Sequence, residues 1–177
     1  MLSRIAIPKR LRARVSRAFY ESETICRMAQ VMVSETIVIR ASPERVWDYT
    51  QNYSIRSAWD RAIVSAEVLG GPTPVPRVRV TLRNAGQCTY QYKLFARPRR
   101  TTLAMEDVKS WMFLGGGGSW AYDPEADGTR WTQTNTVVLR SHLAGPFLAP
   151  VVRWQLRRMT RQGMRTAKRL IEGSEGA

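Results

Sequence analysis

A chain of 177 residues with 44% hydrophobic and 24% charged residues has the size and composition of one folded domain plus a short extension, which excludes two large domains and disorder throughout. Its 28 Lys and Arg against 14 Asp and Glu leave a formal charge of +14, and 24 of those bases are arginine, whose guanidinium stays protonated under all ordinary conditions. The excess sits at the ends, since residues 1–31 and 151–177 each carry seven bases and two acids, and such runs read first as solvated helix faces, so nucleic acid is not the expected partner.

The first 20 residues hold six bases and no acid, and Leu11, Val15, Ala18 and Phe19 fall on one side of a helix. Three readings of residues 1–31 stay open. They form a disordered extension (with the true start at Met28 or Met32 as one form of it), an interfacial anchor on an anionic membrane, or an Arg-rich, acid-poor transit peptide. Ile5-Ala6-Ile7 is cut short by Pro8-Lys9-Arg10, so no export signal is expected. The uncharged stretch at residues 141–152 contains Pro146 and Pro150 and is too short to span a bilayer. Cys26 and Cys88 lie 62 residues apart with no CxxC and no His partner, so both are expected as reduced thiols. The expected location is the cytoplasm, peripheral to a membrane if the basic N-terminus anchors there.

A domain is expected over residues 32–173, followed by a flexible tail at 174–177. From Val33, Ile37 and Ile39 alternate with Thr36, Val38 and Arg40 as in a half-buried strand. Ser42-Pro43-Glu44 then supplies an N-cap hydroxyl, a proline where its missing N–H costs nothing, and a carboxylate at the positive helix end, so a helix is expected over residues 43–50. A second short helix from about Ser54 should bring Ile55, Ala58 and Trp59 together.

A meander of strands follows at 63–69, 75–83, 87–97, 101–107, 113–122 and 130–140, separated by turn-favouring segments such as Asn84-Ala85-Gly86 and Pro98-Arg99-Arg100. Sequential hairpins imply an antiparallel sheet, and the alternation of Val78, Val80 and Leu82 with Arg77, Arg79 and Arg83 implies that one of its faces is wet. Over residues 150–171, Val152, Leu156, Met159, Gly163, Ala167 and Leu170 recur at helical spacing, with the seven bases of the segment on the other side. Gly163 in that stripe permits close approach to the sheet or leaves room for a bound molecule.

This order of elements and several local motifs resemble the SRPBCC superfamily with its START-like helix-grip fold, in particular the polyketide cyclase/dehydrase branch. The resemblance runs from about Val33 to Glu172. It rests on Ala41-Ser42-Pro43-Glu44-Arg45-Val46-Trp47-Asp48, Trp59-Asp60, Trp120-Ala121-Tyr122 before Asp127-Gly128-Thr129-Arg130, and the ending Lys168-Arg169-Leu170-Ile171-Glu172. It implies an α+β fold in which a seven-stranded curved antiparallel sheet wraps a long C-terminal helix, with two short helices after the first strand and a cavity for a hydrophobic ligand between sheet and helix. A helix whose narrow apolar stripe includes Gly163 and Met159 cannot fill such a concavity alone, which agrees.

Strand parity and the helix stripe nominate the wall of that cavity as Trp59, Tyr90, Tyr92, Met105, Trp120, Trp131, Gln133, Asn135, Leu156, Met159 and Gly163. Thr132, Thr134 and Thr136 suit the solvent side of their strand, which turns the Gln133 and Asn135 amides inward, to bond neighbours or a polar group of a ligand. Cyclases of the family are expected to use an inward arginine two positions before the proline that ends the middle strand. Here that position, before Pro98, is Ala96, and the neighbouring Arg97 reaches the inner face only if a bulge intervenes.

His142 alone cannot make a His-rich site, Asp123–Gly128 lacks the closing Glu of a calcium loop, and Gly115–Gly118 reads as a bulge or close packing rather than a phosphate loop. No cofactor or metal is expected. The expected function is enclosure of a hydrophobic or amphiphilic small molecule. The alternatives are a polyketide cyclase or dehydratase that positions a reactive chain, and a ribosome- or membrane-associated protein that uses its basic ends. Either a monomer or a homodimer is compatible with the sequence.

Overall fold

The computed structural model describes residues 30–70, 76–143 and 148–174. The expectations for residues 1–29, including the basic extension and Cys26, lie outside the described residues, as does most of the tail. The chain order is β1 (Gln30–Ile39), α1 (Pro43–Gln51), a 3-10 turn (Tyr53–Ile55), α2 (Arg56–Trp59), β2 (Ile63–Leu69), β3 (Arg77–Leu82), β4 (Gly86–Ala96), β5 (Arg100–Lys109), β6 (Phe113–Glu125), β7 (Gly128–Leu139), a second 3-10 turn (Ser141–Leu143) and α3 (Leu148–Gly173). The strands form one antiparallel sheet in the order β1-β7-β6-β5-β4-β3-β2. The sheet, the two short helices and the long terminal helix make the helix-grip α+β fold.

Helix α1 starts as its sequence dictates, with the Ser42 hydroxyl accepting from the Arg45 backbone N–H at 3.4 Å and Pro43 at the first helical position. The next turn differs from expectation. Tyr53, Arg56 and Trp59 are buried, whereas Ala58 is exposed and Ile55 only half-buried. The segment opens as a 3-10 turn, whose three-residue period sets positions 53, 56 and 59 on one side.

Helix α3 also departs from its simple stripe: Leu170 is exposed, while Thr160, Met164 and Ile171 are buried with Gly163 and Ala167. Its inward face turns by about 70° from Val152–Met159 to Thr160–Ile171, taken at 100° per residue. The two halves meet different surroundings. The first packs beside Phe113, Val137 and Leu139, and the second against Val46, Trp47, Ile39 and Trp131. Polar contacts to β1 fix the angle: Arg157 and Arg161 bond the two oxygens of Glu35 at 2.5 and 2.6 Å, and Lys168 Nζ reaches the Val38 carbonyl at 2.8 Å.

The interior is therefore filled unevenly. At the α1 end Trp47, Trp59, Trp120, Tyr122 and Trp131 close the space under α3, with the Tyr122 and Trp131 rings stacked at 6.2 Å between centroids. The expected bulge or close packing at Gly115–Gly118 takes both forms. The pairing of β6 shifts between Phe113 and Gly115, and a Cβ at Gly116 would stand 2.2 Å from the Thr136 carbonyl oxygen.

Candidate functional site

Between the concave face of the sheet, α2 and the first half of α3 lies a cavity of about 530 Å³, within the range of small-molecule sites. Ile63, Leu103, Met105, Phe113, Val137 and Leu139 supply much of its apolar wall. Its rim carries the exposed Arg61, the β3–β4 turn at Arg83-Asn84, Trp111 before β6, and Gln155 on α3. The space persists because backbone faces it where side chains would close it: Gly117 and Gly118 line the β6 wall, and at Gly163 an added Cβ would already touch the Trp59 ring at 3.7 Å.

Nine of the eleven nominated residues lie together in this wall: Trp59, Tyr90, Met105, Trp120, Gln133, Asn135, Leu156, Met159 and Gly163. Tyr90 and Met105 are direct cross-strand partners, and Trp120 faces Gln133 across the β6–β7 pairing. Tyr92 and Trp131 are not in the wall, which corrects their nomination. The Tyr92 hydroxyl donates to Gln51 Oε1 at 2.8 Å and lies 2.6 Å from the Tyr53 hydroxyl, so it fastens α1 to the sheet. Trp131 is sealed between Trp59 and Tyr122 at the filled end. Parity places both on the concave face, but depth along the strand decides whether a residue there meets cavity or helix.

Arg56, which sequence reasoning passed over, lies in the wall with a side chain only 2% exposed. Its Cζ stands 4.2 Å from the Trp59 ring centroid and 4.4 Å from that of Trp120, so the guanidinium lies against two indole faces. Asp60 takes Nε and Nη2 at 3.1 Å each, and the Thr50 carbonyl takes Nη1 at 2.9 Å. Burial acts against the charge, but Asp60 and the surrounding tyrosines outweigh it and hold Arg56 protonated. The i, i+3, i+4 spacing of Arg56, Trp59 and Asp60 was the available signal, because it puts a cation, a ring and a carboxylate on one face of a turn.

Other polar groups in the wall have unused bonding capacity. Among the described residues the Tyr90 hydroxyl takes no hydrogen-bond partner. Gln133 Nε2 donates to Asn135 Oδ1 at 3.3 Å and Asn135 Nδ2 to Thr160 Oγ1 at 3.0 Å, which leaves the Gln133 carbonyl oxygen with no partner among those residues. The indole N–H groups of Trp59 and Trp120 are buried without acceptors. The Tyr90 hydroxyl and the Gln133 carbonyl oxygen can bond a polar group of a guest, whereas the two indole N–H groups have almost no accessible surface and stay out of its reach.

Burial is the main cause that raises the phenol pKa values of Tyr53, Tyr90 and Tyr92 above the ordinary range, so these groups remain hydroxyl donors at neutral pH. The Cys88 thiol, buried on β4, is pushed up to about 12 by burial and carries no thiolate chemistry. The β4–β5 pairing does shift between Tyr92 and Leu94. That bulge exposes Leu94 and packs Phe95 against Trp47 and Tyr92. Arg97, however, is drawn to Asp48 of α1 by two bonds of 2.8 and 2.7 Å and stays outside the cavity wall. The cation in the wall therefore comes from α2 rather than from the end of β4.

Residues 30–172 match the family model described as polyketide cyclase/dehydrase and lipid transport. No curated protein matches the chain. Among solved structures, the di-domain aromatase/cyclase BexL of the BE-7585A biosynthetic pathway is 18% identical with a TM-score of 0.67, over 88% of this chain and 59% of that one. The di-domain aromatase/cyclase StfQ of the steffimycin pathway is 12% identical with a TM-score of 0.73, over 100% of this chain and 64% of that one. A START superfamily protein from Mycobacterium smegmatis is 14% identical with a TM-score of 0.65, over 79% of this chain and 98% of that one. This chain thus spans about three fifths of each di-domain protein.

Proposed function

For a chain that belongs to the polyketide cyclase/dehydrase and lipid transport family, we propose enclosure of a hydrophobic or amphiphilic organic molecule in the cavity between the sheet and α3. The observation that carries this reading is the mostly apolar space of about 530 Å³ whose wall holds the Tyr90 hydroxyl and the Gln133 carbonyl oxygen, unpaired among the described residues. Apolar walls exclude water, while the Tyr90 hydroxyl and the Gln133 carbonyl oxygen orient one polar part of the guest. Native mass spectrometry of purified protein tests the reading. The expected result is an adduct of a few hundred daltons, or uptake of an added aliphatic chain, that disappears on denaturation. Protein that neither retains nor takes up any apolar molecule would overturn it.

A second reading, cyclisation or dehydration of a reactive polyketide chain, is favoured by one observation of this site. Arg56 and Tyr90 set a fixed cation and a protonated phenol in the same wall, groups that can polarise a carbonyl and hand it a proton. The two di-domain neighbours described as aromatase/cyclases support it by likeness of fold. A poly-β-ketone substrate should then give cyclised product with this protein and far less with Tyr90→Phe. Equal product with both variants would remove the reading.

A further inference from the structure

Outside the cavity, Arg61, Gln162, Arg165, Thr166, Lys168 and Arg169 line a separate concavity of about 450 Å³ on the flank of α3. It holds four cationic side chains and no carboxylate. Lys168 is engaged with the Val38 carbonyl and Glu172, and Arg169 Nη2 lies 3.5 Å from the Thr166 hydroxyl oxygen. Among the described residues Arg61 and Arg165 have no acidic partner, and neither does Arg169. Like charges gathered in one concave surface repel, and an anion with several acceptor oxygens relieves that repulsion.

Arg61 belongs to both linings, the rim of the cavity and the basic concavity. Its neighbour Asp60 is already held by Arg56. The two features therefore meet at Arg61, whose charge has no acidic partner among the described residues. We propose that the guest of the cavity is an amphiphile with a phosphoryl head, its apolar body inside and its head on Arg61, Arg165 and Arg169. This rests on the enclosure proposed above and names the chemistry of the exposed end. A phosphoryl group matches the site better than a carboxylate because its terminal oxygens, three in a monoester and two in a diester, are tetrahedrally disposed and accept from several guanidinium forks at once, where one arginine already satisfies a planar carboxylate.

The test compares dodecyl phosphate with dodecanol, both below micellar concentration, by tryptophan fluorescence and native mass spectrometry. The proteins are the full chain and its Arg61→Gln/Arg165→Gln/Arg169→Gln variant. The expected result is a preference of about tenfold or more for the phosphate, falling with added salt and to about twofold or less in the variant, while dodecanol binds both proteins alike. Equal binding of the two probes by the full chain, or a preference untouched in the variant, overturns the phosphoryl head and leaves enclosure standing. Failure of both probes to bind overturns enclosure itself. Two further arms distinguish the sources of such a head, dodecanoyl phosphopantetheine for a carrier-linked acyl chain and vesicles containing phosphatidic acid for a lipid. The arm whose binding is weakened in the variant identifies the source, and no weakening in either arm counts against the proposal.

Discussion

Removing the Arg56 guanidinium would leave Asp60 mostly buried without its counter-charge and two indole faces without their cation, which makes this residue the most sensitive point of the wall. Arg56→Met should lower the unfolding free energy by about 3 kcal/mol in a urea titration, because stranding one member of a buried pair costs more than the pair contributed. Arg56→Lys should recover little, since an ammonium cannot lie flat against both indoles and bond Asp60 and the Thr50 carbonyl together. Adding Asp60→Asn to Arg56→Met should restore part of the loss; a double variant as unstable as the single one would contradict the account. Nine of the eleven residues named from the sequence lie in the wall because parity and helical spacing are periodic. Sequence reasoning missed Arg56 because the chain there turns with a period of three, and no composition rule sends an arginine inward. Tyr92 was misplaced for a related reason: its partners, Gln51 and Tyr53, lie about 40 residues away, and only the folded chain reveals that its hydroxyl is already engaged.

At the scale of elements, the succession of hairpins from β2 to β7 and the start of α1 were legible because turn residues and the Ser42-Pro43 cap act locally, whereas the pairing of β1 with β7 and the rotation of α3 were not. The stripe ending in Leu170 assumes one flat partner, but the helix meets the cavity first and the packed tryptophans afterwards. Gly163 sits at that change of surroundings. A Cβ there would meet the Trp59 carbonyl oxygen at 3.6 Å and its ring at 3.7 Å, ordinary contact distances. Gly163→Ala should therefore stabilise the protein by about 0.5–1 kcal/mol, the helix-propensity difference, and raise the midpoint of thermal unfolding. Gly163→Leu, which must extend past Trp59 into the wall, should weaken uptake of a twelve-carbon chain by about tenfold or more. Unchanged uptake by the leucine variant would place the guest elsewhere in the cavity. The bulge at Tyr92–Leu94 belongs to this scale too. It turns the strand end so that Phe95 packs on Trp47 and Arg97 meets Asp48, a use of the arginine that alternation alone could not foresee.

For the whole molecule, an excess of 14 positive charges means that the acids are the scarce partners, and the fold places several where they join elements. Glu35 ties β1 to two arginines of α3, and Asp48 ties α1 to the end of β4. Burial alone would raise the Glu35 pKa, but hydrogen bonds from Arg161 and Arg157 and their charges outweigh it and hold the carboxyl below its usual range. At Asp48 the bonds from Arg97 are the largest influence and act in the same direction. A carboxylate whose pKa is lower in the folded than in the unfolded chain contributes stability that is complete above its unfolded value, and that contribution is lost as pH falls through the folded one. Thermal stability should thus hold from neutral pH down to about pH 5 and decline below about pH 4, near the ordinary carboxylate values. Protonation also enlarges the net positive charge, so repulsion steepens the decline and added sulfate should lessen it. Glu35→Gln isolates the local part. The variant should be less stable than the parent at pH 7, and the two should converge as the pH falls through the lowered folded-state value of Glu35, where the parent loses the same charge. A variant that tracks the parent at every pH would show that Glu35 does not hold α3 to β1, and the angle of the helix over the cavity would need another cause.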